Sequence, residues 1–323
     1  MEEIIRNKNK FIGIICRYLG FLFFLSVSLA QSPAGTDTLD KAREAYHAGK
    51  YKEAVELYQA AAKQGSVKAQ FGLGVMYEYG RGVPQDYRKA AEWFLKAANQ
   101  GSAPAQNNLG YLYYTGQGVA RDYNTAFKWY KKAAENPKNK EWNVTLVWCN
   151  LGNMYLAGYG VSRDYSKAAD YFRRAAEKGS PFAANNLGYL YEHGQGVERD
   201  YKLAMYWYRQ AADQGFPFAE RNLGIMFESG RGVMADYHEA FRWYSRAARQ
   251  NNAFAQYKLG RLYELGLGVK KDLVEAYRWY WLASRQSDKG AGESISRLKT
   301  VLSQSQIDEA LKRASDAREA GHE

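Results

Sequence analysis

The sequence predicts an all-α fold, a solenoid of about seven helix-turn-helix repeats on a 36-residue period, closed by C-terminal capping helices. Three observations predict it. The dipeptide Leu–Gly recurs at Leu73–Gly74, Leu109–Gly110, Leu151–Gly152, Leu187–Gly188, Leu223–Gly224 and Leu259–Gly260, with four of the five intervals equal to 36 residues and one of 42. A Gly-x-Gly-Val turn follows each pair, starting at Gly80, Gly116, Gly158, Gly194, Gly230 and Gly266. An aspartate then stands at 86, 122, 164, 200, 236 and 272, ahead of an aromatic- and alanine-rich segment. A fixed period of this length marks a stack of supersecondary units.

Each element follows from residue spacing. Counted from Tyr201, the residues Ala204, Trp207, Tyr208, Ala211 and Ala212 fall at +3, +6, +7, +10 and +11, one apolar stripe on a helix. Ala126, Trp129, Tyr130, Ala133 and Ala134 repeat the stripe, as do Ala54, Leu57, Tyr58, Ala61 and Ala62. The helix before it carries Ala183, Leu187 and Tyr191 on one face. Small and large residues alternate, so an alanine on one helix admits an aromatic ring from the next. The aspartates read as N-caps of the second helices. Gly65, Gly101, Gly179 and Gly215 read as left-handed C-terminal residues, with Asn251 as the sixth-repeat substitute. Ser66, Ser102 and Ser180 are placed to cap the next helix, with Pro104, Pro181 and Pro217 in first turns. Such a pair cannot bury its stripe alone, so neighbouring pairs must stack. The first repeat lacks the glycine turn and joins Leu39–His47 to Tyr51–Lys63 through Ala48–Gly49–Lys50. Residues 289–302 and 304–318 read as two amphipathic helices, with a capping box formed by Ser303 and Gln306.

The ends and the charge bound the context. Arg6, Lys8 and Lys10 precede an apolar run from Phe11 to Leu25, broken at Arg17, and Ser28–Leu29–Ala30 supplies a small-x-small site. This is the pattern of a secretory signal, with cleavage expected after Ala30; an uncleaved N-terminal anchor is the alternative. We therefore expect an exported chain, periplasmic or secreted, with no stable membrane insertion after cleavage. The full chain carries 45 Lys and Arg against 34 Asp and Glu; without residues 1–30 the balance is 41 against 32, or +9. Of two cysteines only Cys149 lies in the mature chain, so no internal disulfide forms there. The boundaries read as a signal at 1–30, a linker at 31–37, a degenerate first repeat at 38–66, full repeats over 67–286, and capping helices and tail over 287–323.

The alternation of Leu–Gly, Gly-x-Gly-Val, Asp-Tyr, Lys-Ala, Trp-Tyr and Lys-Ala-Ala resembles the Sel-one-like repeat, a branch of the tetratricopeptide superfamily. The resemblance covers about 68–285, and the first repeat, 38–66, is closer to an ordinary tetratricopeptide repeat. It implies a right-handed α-solenoid and an adaptor role in assembling complexes, often at bacterial envelopes. Some secreted bacterial relatives carry a disulfide in every repeat and are linked to penicillin binding. With one mature cysteine this chain departs from that branch.

No residue set points to catalysis, and we expect no enzyme, cofactor or metal. The four histidines, at 47, 193, 238 and 322, share no spacing with each other or with carboxylates. The Gly-x-Gly-Val turns follow no strand and precede no Gly-Lys-Ser/Thr, so they read as chain reversals and not phosphate loops. Cys149 occupies a position that varies between repeats, which predicts partial exposure; it reads as a buried or a dimerising thiol rather than a nucleophile, for which no base is present.

Two ladders carry binding hypotheses for a protein or peptide partner. Asn108, Asn150, Asn186 and Asn222 each precede a Leu–Gly pair, with Gly72 and Lys258 at the ends. Three residues on stand Val75, Tyr111, Asn153, Tyr189, Ile225 and Arg261. First helices line the concave face in tetratricopeptide-like solenoids, so these asparagines either clamp a peptide backbone or bond between neighbouring repeats; both readings stay open. The second ladder is basic: Lys131, Lys132, Arg173, Arg174, Arg209 and Arg246 late in second helices, with Arg121, Arg163, Arg199 and Lys271 beside the aspartates. It favours an acidic partner, with a solvated face as the alternative. Nucleic acid is disfavoured by export and by the absence of a recognised module. The 42-residue interval holds an insertion around Asn136–Trp142, a binding-face loop or a local change of curvature, and Asn143-Val-Thr145 fits a glycosylation acceptor.

Overall fold

The computed structural model describes residues 36–136, 144–286 and 288–319. The signal-like segment, most of the insertion and the tail beyond 319 lie outside the described residues. The chain divides into two compact units, Met1–Asp164 and Tyr165–Glu323.

Among the described residues the first unit holds seven helices: α1 (Thr36–His47), α2 (Tyr51–Lys63), α3 (Val67–Tyr79), α4 (Tyr87–Asn99), α5 (Ala103–Thr115), α6 (Tyr123–Ala134) and α7 (Thr145–Ala157). The second holds nine: α8 (Tyr165–Glu177), α9 (Pro181–His193), α10 (Tyr201–Ala212), α11 (Pro217–Ser229), α12 (Tyr237–Arg249), α13 (Ala253–Leu265), α14 (Leu273–Ser284), α15 (Lys289–Leu298) and α16 (Gln304–Glu319). No strand occurs among the described residues. Within each unit successive helices pack on one another, the nearest-neighbour arrangement of a solenoid, except at the C-terminus, where α15 and α16 both pack on α14.

The predicted stripes become the core. The residue at +7 of each second helix is a fully buried ring: Tyr58, Phe94 and Tyr130 in the first unit, Phe172, Tyr208, Tyr244 and Tyr280 in the second. The Leu–Gly glycine makes room for it. A Cβ on Gly224 would stand 2.6 Å from the Tyr244 ring, closer than any side chain tolerates. The second glycine of the Gly-x-Gly turn does the same for backbone. Gly196, at φ +69°, would place a Cβ 2.2 Å from the carbonyl carbon of Tyr165, at the start of the second helix of the preceding repeat. The first glycine of each turn ends its helix in the left-handed region, as at Gly194 and Gly230.

Capping follows the sequence reading. Asp86, Asp122, Asp200, Asp236 and Asp272 each accept two backbone N–H bonds in the following first turn. Ser66, Ser102 and Ser180 accept from Ala69, Ala105 and Ala183. Asn251 has φ 60°, and it is the non-glycine residue with positive φ among those described. Two boundaries differ from expectation. α1 begins at Thr36, before the predicted Leu39. α15 ends at Leu298 rather than 302: residues 299–301 turn, so that Leu302 as well as Leu298 enters the terminal cluster with Ile307 and Ala310. The capping box forms as predicted, Gln306 N–H donating to Ser303 Oγ and Ser303 N–H to Gln306 Oε1.

Candidate functional site: two repeated faces and an arginine-lined groove

The asparagine ladder is mostly interior. Asn150 and Asn222 are buried and donate through Nδ2 to Asn107 and Asn185 of the preceding repeat, each at 3.0 Å. Asn186 is buried and donates to the Phe182 carbonyl of its own helix. Asn108 is half-buried and accepts from Asn107. Of the two roles open to them, bonding between repeats is therefore present at Asn150 and Asn222. The positions three residues on behave differently. Tyr111, Asn153, Tyr189 and Ile225 are half-exposed and Arg261 is exposed, while Val75 is buried. The amide nitrogen of Asn153 has no acceptor among the described residues.

The basic ladder largely lies on aromatic rings. Lys132 sits 5.0 Å from the centre of the Trp129 ring, and Arg174 5.8 Å from that of Tyr171. Arg209 and Arg246 both cover Trp243, at 5.2 and 4.8 Å. Such contacts contribute about 0.5–1 kcal/mol each at exposed sites. Lys131 pairs with Glu135, and Arg173 with Asp170 and the Tyr191 hydroxyl. Arg246 also holds the fully buried Glu220 at 2.9 Å and donates to the Ala212 carbonyl. Burial pushes the Glu220 carboxyl above the usual carboxylate range, even though Arg246 and Gln250 act against the rise.

Cys149 is a correction. Variability at its position predicts partial exposure, but Cys149 is 4% exposed, because α7 is buried round most of its circumference, with Val147, Asn150, Leu151, Gly152 and Met154 also buried. His193 is exposed and stacks on Tyr189 at 4.0 Å, its Nδ1 bonded to the Tyr189 carbonyl. Among the described residues no cluster of His, Cys, Asp and Glu has the makings of a metal site, and no helix is long and apolar enough to cross a membrane.

Sequence reasoning missed a polar ladder in the second unit. Tyr208, Tyr244 and Tyr280 donate their buried hydroxyls to Glu192, Glu228 and Glu264 at 2.6–2.7 Å. Each glutamate also holds a cation further along the chain: Arg231, Lys258 and Arg297. The separation of 16 residues between tyrosine and glutamate was the available signal, since it repeats three times at the 36-residue period.

It also missed a groove. A cavity of about 1070 Å³ lies in the second unit, lined chiefly by α12, α13 and α14, with residues from the ends of α10 and α16. Arg209, Arg242, Arg246, Arg249 and Arg278 face it, against Asp213, Glu239 and Glu275. Trp243 and Trp279, the +6 residues of α12 and α14, form part of its wall. Their alternation with arginine was legible as a helical stripe, but not as a cavity.

The repeat geometry, with a Leu–Gly glycine under an aromatic ring and a second glycine against backbone, agrees with the family comparison. The Sel1-repeat model matches residues 46–66, 67–102, 103–137, 149–180, 181–216, 217–252 and 253–288. The chain belongs to the Sel1-repeat family. The match includes the second helix of the degenerate first repeat. Two solved structures are similar over most of the chain. One is c5321, a protective antigen present in uropathogenic Escherichia coli strains and displaying an SLR fold, 29% identical with a TM-score of 0.71 over 98% of this chain. This chain spans 64% of that protein's length. The other is a Sel1 repeat protein from Oxalobacter formigenes, 33% identical with a TM-score of 0.69, over 76% of this chain and 96% of the other. No curated protein matches the chain. Sel1-repeat proteins are in general protein-interaction scaffolds and generally not enzymes.

Proposed function

We propose that the chain is an exported adaptor that binds a protein or peptide on the first-helix faces of its repeats. The carrying observation is the contrast between fixed and varied positions. The buried positions repeat, with leucine, glycine and an aromatic ring in place after place. The position three residues after each ladder residue changes from Val75 through Tyr111 to Asn153 in the first unit, and from Tyr189 through Ile225 to Arg261 in the second, and it is half-exposed or exposed at all but Val75. In a scaffold whose core is uniform, specificity resides in such outward residues. With Asn150 and Asn222 bonded inside the stack, direct contact falls to these neighbours.

Export rests on the basic-apolar-small pattern of residues 1–30. A mature N-terminus at Gln31 in the mass spectrum supports it; an intact Met1 on the exported or membrane fraction would mean an anchor instead. Host exposure is a second reading, favoured by the resemblance to a protective antigen. It differs in partner, not in binding mode. The scaffold reading is tested one unit at a time. Tyr111→Ala with Asn153→Ala, and separately Ile225→Ala with Arg261→Ala, should leave the thermal midpoint within a few degrees while one of the two pairs abolishes partner capture by the mature chain. Capture unaffected by both pairs overturns the assignment of these faces.

A further inference from the structure

We propose that the groove of the second unit is a binding site for an acidic peptide segment bearing apolar side chains, with carboxylates held by arginines and by the indole N–H groups of Trp243 and Trp279. The proposal deepens the scaffold reading and rests on it, since it names a partner chemistry for a site that does not use Tyr111, Asn153, Ile225 or Arg261.

Three independent features converge on this cavity. The first is charge. Five arginines line it against three carboxylates, and two of those carboxylates are already neutralised. Glu275 receives both Arg278 and Arg313, at 3.0 and 2.8 Å, and Glu239 pairs with Arg242 at 2.9 Å. Arg209 and Arg249 have no carboxylate partner among the described residues. Planar guanidinium groups of this kind match carboxylate oxygens in a two-pronged fashion.

The second feature is a set of buried donors with nothing to bond. The indole nitrogens of Trp243 and Trp279 and the Nε of Arg278 are enclosed and have no hydrogen-bond partner among the described residues. Trp243 is 6% exposed and Trp279 8%. Buried donors are nearly always satisfied, and three lining one cavity are an exception that calls for acceptors. Side chains overlie these rings: Arg209 and Arg246 lie over Trp243, and Arg278 lies over Trp279 at 4.7 Å. A ligand carboxylate that draws these guanidinium groups toward itself would open the rings to the cavity.

The third feature selects the ligand class. Phe241, Leu259, Tyr263 and Leu282 complete the wall. Inorganic phosphate or a polyanion would leave this apolar surface unused, whereas a peptide carrying glutamate beside leucine or phenylalanine covers both parts. Recognition of acidic motifs by arginine clusters is a recurring mode of peptide binding.

The probe is an end-blocked hexapeptide of alternating glutamate and leucine, titrated into the mature full-length chain labelled with nitrogen-15. The indole N–H signals of Trp243 and Trp279, assigned with the single variants Trp243→Phe and Trp279→Phe, should move on binding, and the other tryptophan signals should not. Arg209→Gln with Arg249→Gln should weaken affinity at least tenfold, with the thermal midpoint retained because both side chains are exposed. Trp243→Phe should weaken it about tenfold, the loss expected for one hydrogen bond to a charged group. Binding of the glutamine-for-glutamate peptide with equal affinity would overturn the proposal, as would unmoved indole signals at millimolar peptide. Polyphosphate that binds more tightly than the peptide and moves the same two signals would overturn the peptide assignment. Failure here, with partner capture still lost in the first-helix variants, removes the groove assignment and leaves the scaffold reading standing.

Discussion

Gly196 and Gly179 both have positive φ, yet they answer to different constraints. Gly179, at φ +86°, has open space where a Cβ would go, whereas a Cβ on Gly196 would meet the Tyr165 backbone at 2.2 Å. Alanine at 179 therefore bears only the left-handed backbone penalty, about 1 kcal/mol. Alanine at 196 adds a backbone clash, for a total of about 2–4 kcal/mol. Urea midpoints of the two variants should fall in that order, and equal midpoints would mean the turn relaxes freely. Glu220 gives a pH signature at the same scale. Its carboxyl is raised in the folded state, chiefly by burial, so the folded chain binds that proton more tightly than the unfolded chain. The stability this site contributes is full below the ordinary carboxylate value and is lost as pH rises through the raised value. Glu220→Gln should flatten the dependence of stability on pH in the range just above the ordinary carboxylate value. A slope identical to the parent's, read from denaturant midpoints, would show that the carboxyl is not perturbed.

At the scale of the helix pair, the tyrosine–glutamate–cation ladder ties each second helix to its partner and to a residue further along the chain. Tyr244 donates to Glu228 at 2.6 Å, and Glu228 holds Lys258 at 2.9 Å. Burial and the neighbouring glutamate both push the Tyr244 hydroxyl well above its ordinary value, so it stays a donor at every physiological pH. Phe94 and Phe172 occupy the same repeat position fully buried, which shows that the bare ring fits. Tyr244→Phe should therefore cost only the hydrogen bond, about 1–2 kcal/mol, without a cavity term. Combined with Glu228→Gln, the losses should fall short of additive, since both changes remove one bond. Strict additivity in a double-mutant cycle would mean the two groups do not interact.

At the scale of the molecule, packing between successive helices makes the ends vulnerable. The last full repeat buries Tyr277 and Tyr280 against Ala291, Leu298, Ile307 and Ala310 of α15 and α16 and Leu302 between them. Ending the chain at residue 287 would expose those rings, and terminal repeats with an apolar outer face lose solubility. The truncated protein should unfold at lower denaturant concentration and bind more of a hydrophobic dye than the full chain. Unchanged behaviour in both measurements would mean α15 and α16 are appended rather than structural. The same deletion removes Arg313, which holds Glu275, and Ala314 from the groove wall. Peptide affinity at the groove should therefore fall along with stability.

The period, the helices, their caps and the positions of the core rings are legible in the order of the residues. Those depend on local spacing and backbone geometry: an aspartate three residues before the amide it caps, a glycine where φ must be positive, an alanine facing a ring. Asn251 was legible as a glycine substitute for the same reason. Which polar side chains face inward depends on how the helices stack. Asn150 and Asn107 are 43 residues apart and Tyr244 and Glu228 are 16 apart, and neither separation belongs to a helical period. Cys149 was misjudged because sequence variability was read as exposure, while a tightly packed seam can accept different small or polar residues at one position. The groove escaped for the same physical reason. A cavity is made by side chains from five helices at once, and no spacing within one helix records the distance to the next.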